Sequence, residues 1–254
     1  MNNIISFAGI DPTAGAGLLL DVKVAEEFNC HCSGTTTSIT VQNSLEFISN
    51  FPLRPEQIEA QLKIILAEFT VETAKIGMTG TLANLKTIFH LLHLHHFRNI
   101  IWDPVLKSTS GGQLLAKPQL EQLKQILPQV TLFTPNLDET EFFCEIRPHN
   151  LEEMKKTAKL IQKMGVDNIL IKGGHLEGNF IMDYLLTPES DKVFKKEKAP
   201  RNYRGTGCWL STAIASLLAS DYKMAEAVEL AQTRLQEKMK NKILPLQQGF
   251  LLEI

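Results

Sequence analysis

The segment Arg204-Gly205-Thr206-Gly207-Cys208-Trp209 runs straight into an apolar helical stretch. Two glycines let the backbone approach a ligand closely, and the amides of the helix that follows face that ligand. The dipole at a helix N-terminus favours negative charge, so this geometry suits a phosphate or a phosphoryl group in transfer. The same dipole would lower the pKa of Cys208 and make it a better base or nucleophile than an ordinary thiol. A glycine turn capping a buried helix, with Cys208 as a small core residue, is the plainer reading of the same letters.

Other segments carry chemistry with a plainer alternative beside it. Gly9-Ile10-Asp11-Pro12-Thr13-Ala14-Gly15-Ala16-Gly17 is a glycine-rich strand-to-helix turn. It lacks the Gly-Lys-Ser/Thr of a P-loop and the spacing of a Rossmann fingerprint. Its small residues make room for a flat ligand, or for close packing of helix on sheet. Asn136 and Glu139 stand three apart after a strand, where they could hold water around Mg²⁺ or simply cap a helix. Lys172-Gly173-Gly174-His175 ends a buried strand with a lysine, which could meet a polyphosphate or reach out to water. Asp103, in Trp102-Asp103-Pro104-Val105, could order metal-bound water or cap a turn. Cys30-His31-Cys32 has no second ligand pair and is expected to be a loop or strand edge, not a metal site. His93, His95 and His96 are expected at the surface.

These groups need a frame that brings distant segments together. Short apolar runs alternate with amphipathic segments along the chain. Strands are expected at 4–8, 35–41, 74–77, 100–103, 131–133 and 168–172. A hairpin pair is expected at 180–186 and 192–195. Helices are expected at 16–28, 55–69, 82–94, 117–126, 138–145, 151–164, 208–219 and 224–239. This alternation argues for an α/β fold with a mostly parallel sheet covered on both faces, in one domain over residues 1–254. In such a sheet ligands bind beyond the C-terminal strand ends. Asp11, Gln42, Gly77-Met78, Asp103, Asn136 and Lys172 all fall at those ends.

Bulk properties narrow the classes. The 254 residues are 44% hydrophobic and 21% charged, as in an ordinary globule, and the net charge is −2 with no basic run. Nucleic acid is a poor partner for such a surface. The N-terminus lacks a basic region followed by a long apolar run, so no secretion signal is expected. The stretch 209–219 is too short to span a bilayer, so no membrane partner is expected. Four scattered cysteines fit a reducing cytoplasm. A homodimer is left open.

Taken in order, the pieces resemble the ribokinase-like superfamily, in particular the hydroxymethylpyrimidine/phosphomethylpyrimidine kinases of thiamine biosynthesis. The resemblance rests on Gly9-Ile10-Asp11-Pro12 with Gly15-Ala16-Gly17 and Asp21-Val22-Lys23, then Thr40-Val41-Gln42-Asn43 and Lys75-Ile76-Gly77-Met78. It continues through Asp103-Pro104-Val105, Thr134-Pro135-Asn136 with Glu139, Lys172-Gly173-Gly174-His175 and Gly205-Thr206-Gly207-Cys208. It implies a three-layer α/β/α fold and an ATP- and Mg²⁺-dependent kinase acting on a small pyrimidine. Gln42 is then the reader of the pyrimidine edge. Gly9, Met78 and Val105 line the faces of the ring, and Asp21 holds its hydroxymethyl or amino side. Asp103, Asn136 and Glu139 resemble the residues around Mg²⁺-bound water, with Asn136 also on ATP. Lys172 resembles the residue on the ATP phosphates. Gly205, Thr206 and Gly207 resemble the anion hole, with Thr206 also on ATP, and Cys208 the base. Adenine would sit near the hairpin after Lys172 and the final helices.

The chain departs from the family pattern at Arg204, where a histidine is usual. It departs again at Ala14-Gly15, at Leu19-Leu20 before Asp21, and in the tail Gly249-Phe250-Leu251-Leu252. A pyridoxal kinase of the same superfamily is the first alternative, because its ring also carries a hydroxymethyl arm. A non-catalytic ligand-binding protein on this fold is the second.

Overall fold

Alternate burial along the central strands builds two cores at once. On β1 (Asn2–Ile10), Ile5 and Phe7 face one core and Ile4 the other; on β5 (Asn99–Trp102), Ile100 and Trp102 oppose Ile101; on β7 (Asn168–Ile171), Ile169 and Ile171 oppose Leu170. Side chains alternate across a strand, so near-continuous apolar runs can serve both faces of a covered sheet. In the computed structural model of the chain, residues 2–106, 119–174, 180–197, 203–241, 243–246 and 249–252 are described.

The main sheet has nine strands in the order β3-β2-β1-β4-β5-β6-β7-β8-β9. The remaining members are β2 (Cys30–Gln42), β3 (Phe47–Pro52), β4 (Thr73–Ile76), β6 (Leu132–Phe133), β8 (Phe180–Leu186) and β9 (Asp191–Glu197). Strands β2, β1, β4, β5, β6 and β7 pair in parallel, while β3 pairs antiparallel with β2, β8 with β7 and β9 with β8. Helices α2 (Pro55–Glu68), α3 (Leu82–Leu94), α4 (Leu120–Lys124), α5 (Leu137–Cys144) and α6 (Leu151–Gln162) cover one face. Helices α1 (Gly17–Glu27), α7 (Thr206–Ala219) and α8 (Met224–Asn241) cover the other. This is the expected three-layer α/β/α arrangement.

Local signals explain most boundaries. Thr81 accepts from the Asn84 amide at the start of α3, Asn150 accepts from Glu153 at α6, and Pro55 opens α2. The helix expected at 117–126 is a short α4 followed by a 3₁₀ turn at Leu127–Gln129, and its first two residues lie outside the described ones. Cys30-His31-Cys32 lies at the opening end of β2 and pairs with β1, and both thiols point into the core. Burial raises Cys30 to about 11 and raises Cys32 further. His93, His95 and His96 are exposed, as expected.

Two features carry no clear sequence pattern. One is β3, the antiparallel edge strand. The other is a second sheet, β10-β12-β11, from β10 (Tyr203–Arg204), β11 (Ile243–Pro245) and β12 (Phe250–Leu252). Strands of two or three residues are too short for periodicity to show. None of the described helices is long and apolar enough to cross a membrane.

Candidate active site

The strand order sets out the site along the C-terminal edge of the sheet. Gln42 ends β2, Gly9 lies at the end of β1, Met78 follows β4, Asp103 follows β5, Asn136 follows β6 and Lys172 follows β7. The first three form one end and the last three the other. At the first end, β1 shifts register between Ala8 and Gly9, and β2 shifts between Val41 and Gln42. Such irregularities re-aim a strand where pairing ends. A Cβ on Gly9 would lie 3.2 Å from Met78 Sδ, so those two residues share a wall. Gln42 Nε2 donates to Thr40 Oγ1 at 2.9 Å, which orients its amide and leaves the carbonyl oxygen to accept. Val105 is partly buried, and its amide folds back onto Asp103 O at 2.8 Å.

The second end is charged. Lys172 Nζ sits 2.6 Å from Asp103 Oδ1, and the lysine side chain is 15% exposed. The two charges meet directly. Ser211 and Thr134 hydroxyls also approach Asp103. Asn136 and Glu139 form the capping box of α5: Asn136 Oδ1 accepts from the Glu139 amide at 2.9 Å, and Glu139 Oε2 accepts from the Asn136 amide at 2.7 Å. The capping alternative for these two residues is therefore realised in this geometry. Lys172 N bonds Pro135 O, which ties the ends of β6 and β7 together.

Burial and charge set the titration of this end. Burial pushes Glu139 up to about 8; Asp103 adds to that, while Lys172 and the Asn136 amide oppose it. Burial works against the charge of Lys172, but Asp103 and Glu139 outweigh it and hold the lysine above its ordinary value. Among the described residues no group of three or more His, Cys, Asp or Glu is placed to hold a metal. A cation here would rely on Asp103 and Glu139 together with water.

Helix α7 spans the two ends. Gly205 precedes it at φ +77°, and a Cβ there would lie 2.0 Å from Gly15 O in the glycine loop. Two residues on, a Cβ at Gly207 would lie 3.3 Å from Lys172 Nζ and 3.8 Å from Asp103 Oδ2. Thr206 opens the helix between them, and Cys208 follows in its first turn, partly buried. The expected acidity of Cys208 is corrected, because burial raises it, with Asp103 and Asp21 adding; Lys75 and the Gly17 amide oppose without prevailing. A helix terminus contributes only a modest favourable field, and loss of hydration around a thiolate exceeds it.

Asp21 is also corrected. Its carboxylate is fully buried, 3.0 and 2.8 Å from Lys75 Nζ, and accepts from Ser6 Oγ at 2.5 Å and Thr212 Oγ1 at 2.7 Å. With those donors satisfied inside the core it anchors α1, β1, β4 and α7, and presents no face to a ring. The buried Lys75 was missed as a functional residue; its signal is a lysine in the otherwise uncharged strand Thr73–Ile76. Asp183 was missed as well. It accepts from the Gly173 amide at 2.8 Å, Lys196 Nζ at 2.8 Å and Gln232 Nε2 at 2.7 Å, and so fixes the turn just after Lys172. His175 lies outside the described residues.

A family model described as phosphomethylpyrimidine kinase matches residues 11–251. The chain belongs to the phosphomethylpyrimidine kinase family. A hydroxymethylpyrimidine/phosphomethylpyrimidine kinase of Aquifex aeolicus is 34% identical over 239 residues, covering 93% of this chain and 94% of that protein. The crystal structure of phosphomethylpyrimidine kinase from Clostridium difficile is 30% identical, with a TM-score of 0.81 over 93% of this chain and 99% of that one. Pyridoxal kinase of Bacillus subtilis, solved as an ADP complex, is 26% identical with a TM-score of 0.90, covering 99% of this chain and 97% of that one. As a family member the chain is a phosphotransferase on a ribokinase-like fold.

Proposed function

We propose that this kinase transfers the γ-phosphoryl group of ATP to the hydroxymethyl of 4-amino-5-hydroxymethyl-2-methylpyrimidine, and then phosphorylates the resulting monophosphate, within thiamine biosynthesis. The observation that carries the reading is the span of α7's entry. Gly205 touches the glycine loop at the ring end, and Gly207 lies over Lys172 and Asp103 at the charged end. An acceptor at one end and a phosphoryl donor at the other would meet at the first-turn amides.

In this reading Gln42 takes the aminopyrimidine edge, because a carboxamide can donate and accept at once. Gly9, Met78 and Val105 lie against the ring. Lys172 keeps Asp103 on one donor and turns others to the phosphates, since an ammonium has three. The amides of 205–208 receive the charge that builds on the transferring oxygens. For the alcohol, Cys208 as thiolate accepts the hydroxyl proton as the substrate oxygen bonds phosphorus and ADP leaves. The monophosphate is already an anion at its attacking oxygen, so it needs no such base. Asp103 and Glu139 are the residues that would hold Mg²⁺, through water, with Asn136 beside them. Lys172 and the Asn136 amide offset the buried charge of Glu139 only in part, and a divalent cation would offset more of it. When bound, Mg²⁺ would neutralise phosphate charge. Four free cysteines fit the reducing cytoplasm that the reading assumes.

A second reading, pyridoxal kinase, draws on the TM-score of 0.90 to a protein of that name. Turnover of ATP with each of three acceptors decides between them: the pyrimidine alcohol, its monophosphate and pyridoxal. The pyrimidines should be preferred by kcat/KM. Preference for pyridoxal would replace the first reading with the second, and no turnover with any of them would leave a binding protein.

A further inference from the structure

Arg204 belongs to β10, yet its side chain leaves the small sheet and reaches the ring end of the site. One guanidinium nitrogen, Nη2, lies 3.0 Å from Asp11 Oδ2, and Nη1 donates to the Asn43 carbonyl. Both charged side chains are almost wholly buried, at 7% and 1% exposed. Each partner also closes a turn of its own. Asp11 Oδ1 accepts from the amide and the hydroxyl of Thr13 at 3.0 and 2.9 Å. Asn43 Oδ1 accepts from the amides of Leu45 and Glu46 at 2.8 and 3.0 Å, shaping the turn between β2 and β3. Asn43 directly follows Gln42, and Asp11 lies two residues beyond Gly9. The Arg204 backbone pairs with Leu251 on β12, and the next residue is the glycine that opens α7.

We propose that Arg204 is a positioning residue for acceptor recognition: it clasps the β2–β3 turn to the glycine loop, and so fixes the gap between Gln42 and Gly9 in the same frame as Cys208. This rests on the ring-kinase reading above. The planar fork of arginine suits the role, since it binds two acceptors with fixed separation while a lysine ammonium is a point charge on a flexible stem. A charge pair shielded from water holds such a tie more firmly than an exposed one.

The test uses the full chain with Arg204→Lys and Arg204→Met, read by steady-state kinetics and amide hydrogen exchange. Loss of a buried hydrogen bond to a charged group should raise the KM for the pyrimidine alcohol about tenfold or more in both variants. The KM for ATP should stay near that of the unmodified chain, because Lys172, Asp103 and Gly207 lie at the other end. Exchange should quicken at Leu45 and Glu46 and stay slow along β5. Arg204→Lys keeps a cation beside Asp11 and so tests the tie to Asn43 even if Arg204→Met fails to fold. A lysine variant with unchanged pyrimidine KM, or one in which both KM values rise together, overturns the clasp. If the unmodified chain phosphorylates neither pyrimidine, the ring-kinase reading fails. The clasp itself is then decided by exchange alone: faster exchange at residues 43–46 upholds it and unchanged exchange overturns it.

Discussion

Cys208 and Glu139 show how burial governs single residues in this site. With the thiol of Cys208 held above its ordinary value of 9.0, only a minority is thiolate near neutrality. A reaction that needs the thiolate should therefore speed up as pH rises. For the alcohol, kcat/KM should climb with pH into the alkaline range, while the monophosphate reaction should respond far less. Cys208→Ala should lower alcohol turnover on the order of 10²-fold and the monophosphate reaction much less. A flat profile for the alcohol, or equal losses for both acceptors, would show Cys208 to be packing alone. Glu139 predicts the opposite slope in stability. Its folded value of about 8 exceeds the ordinary 4.5, so the folded chain holds that proton more tightly than the unfolded one. The stabilisation is complete below 4.5 and is lost as pH rises through about 8. Glu139→Gln keeps an oxygen for the Asn136 amide and carries no titrating proton. Relative to the unmodified chain, the variant should gain thermal stability across that window in metal-free buffer. A difference in Tm that stays constant with pH would refute the assignment.

Among elements, α7 is tied to the rest through a buried ion pair. Thr212 on α7, Ser6 on β1, Asp21 on α1 and Lys75 on β4 meet around one carboxylate. Asp21, with Asp103 adding, holds Lys75 charged, although burial opposes it. Breaking one partner of a buried pair typically costs about 3–5 kcal/mol, because the other is left charged in the core. Lys75→Met should therefore lower stability by about that much in denaturant unfolding. The double variant Lys75→Met with Asp21→Asn should recover part of the loss. If the double variant is no better than the single one, the packing of the lysine stem matters and the charge does not.

At the scale of the molecule the two cores share β1, β5, β6, β7 and β8, which argues for one cooperative unit over the described chain. Trp102 packs against Phe89, Phe133 and Phe143 on one face of the sheet. Trp209 packs edge-on to Phe28 on the other. These are the two tryptophans of the sequence. Fluorescence of Trp102→Phe thus reports the α1–α7–α8 face, and that of Trp209→Phe the opposite face. After allowance for each variant's own stability, calorimetry and fluorescence should give coincident transitions for both chains. A fluorescence midpoint that departs from the calorimetric one within either variant would mean that the layers unfold independently.

The alternation of strands and helices was legible because its signals are local: apolar runs, cap residues and strand-end glycines act within a few positions. The site's location was legible too, since polar residues at the ends of parallel strands must gather at one edge. The partners of those residues were not. Lys172 finds Asp103 across 69 positions, Lys75 finds Asp21 across 54, and Arg204 finds Asp11 across 193. The proton affinities of Cys208 and Glu139 were likewise hidden. A helix terminus can be read from the letters, but the depth of burial that outweighs it depends on which distant segments close over the side chain. The strands of the small sheet have at most three residues each, and pairing with one another alone makes them strands. Sequence determined the elements and the edge on which chemistry sits. Only tertiary packing decided which charges are paired and which are buried, because desolvation and ion pairing depend on distance in space and not along the chain.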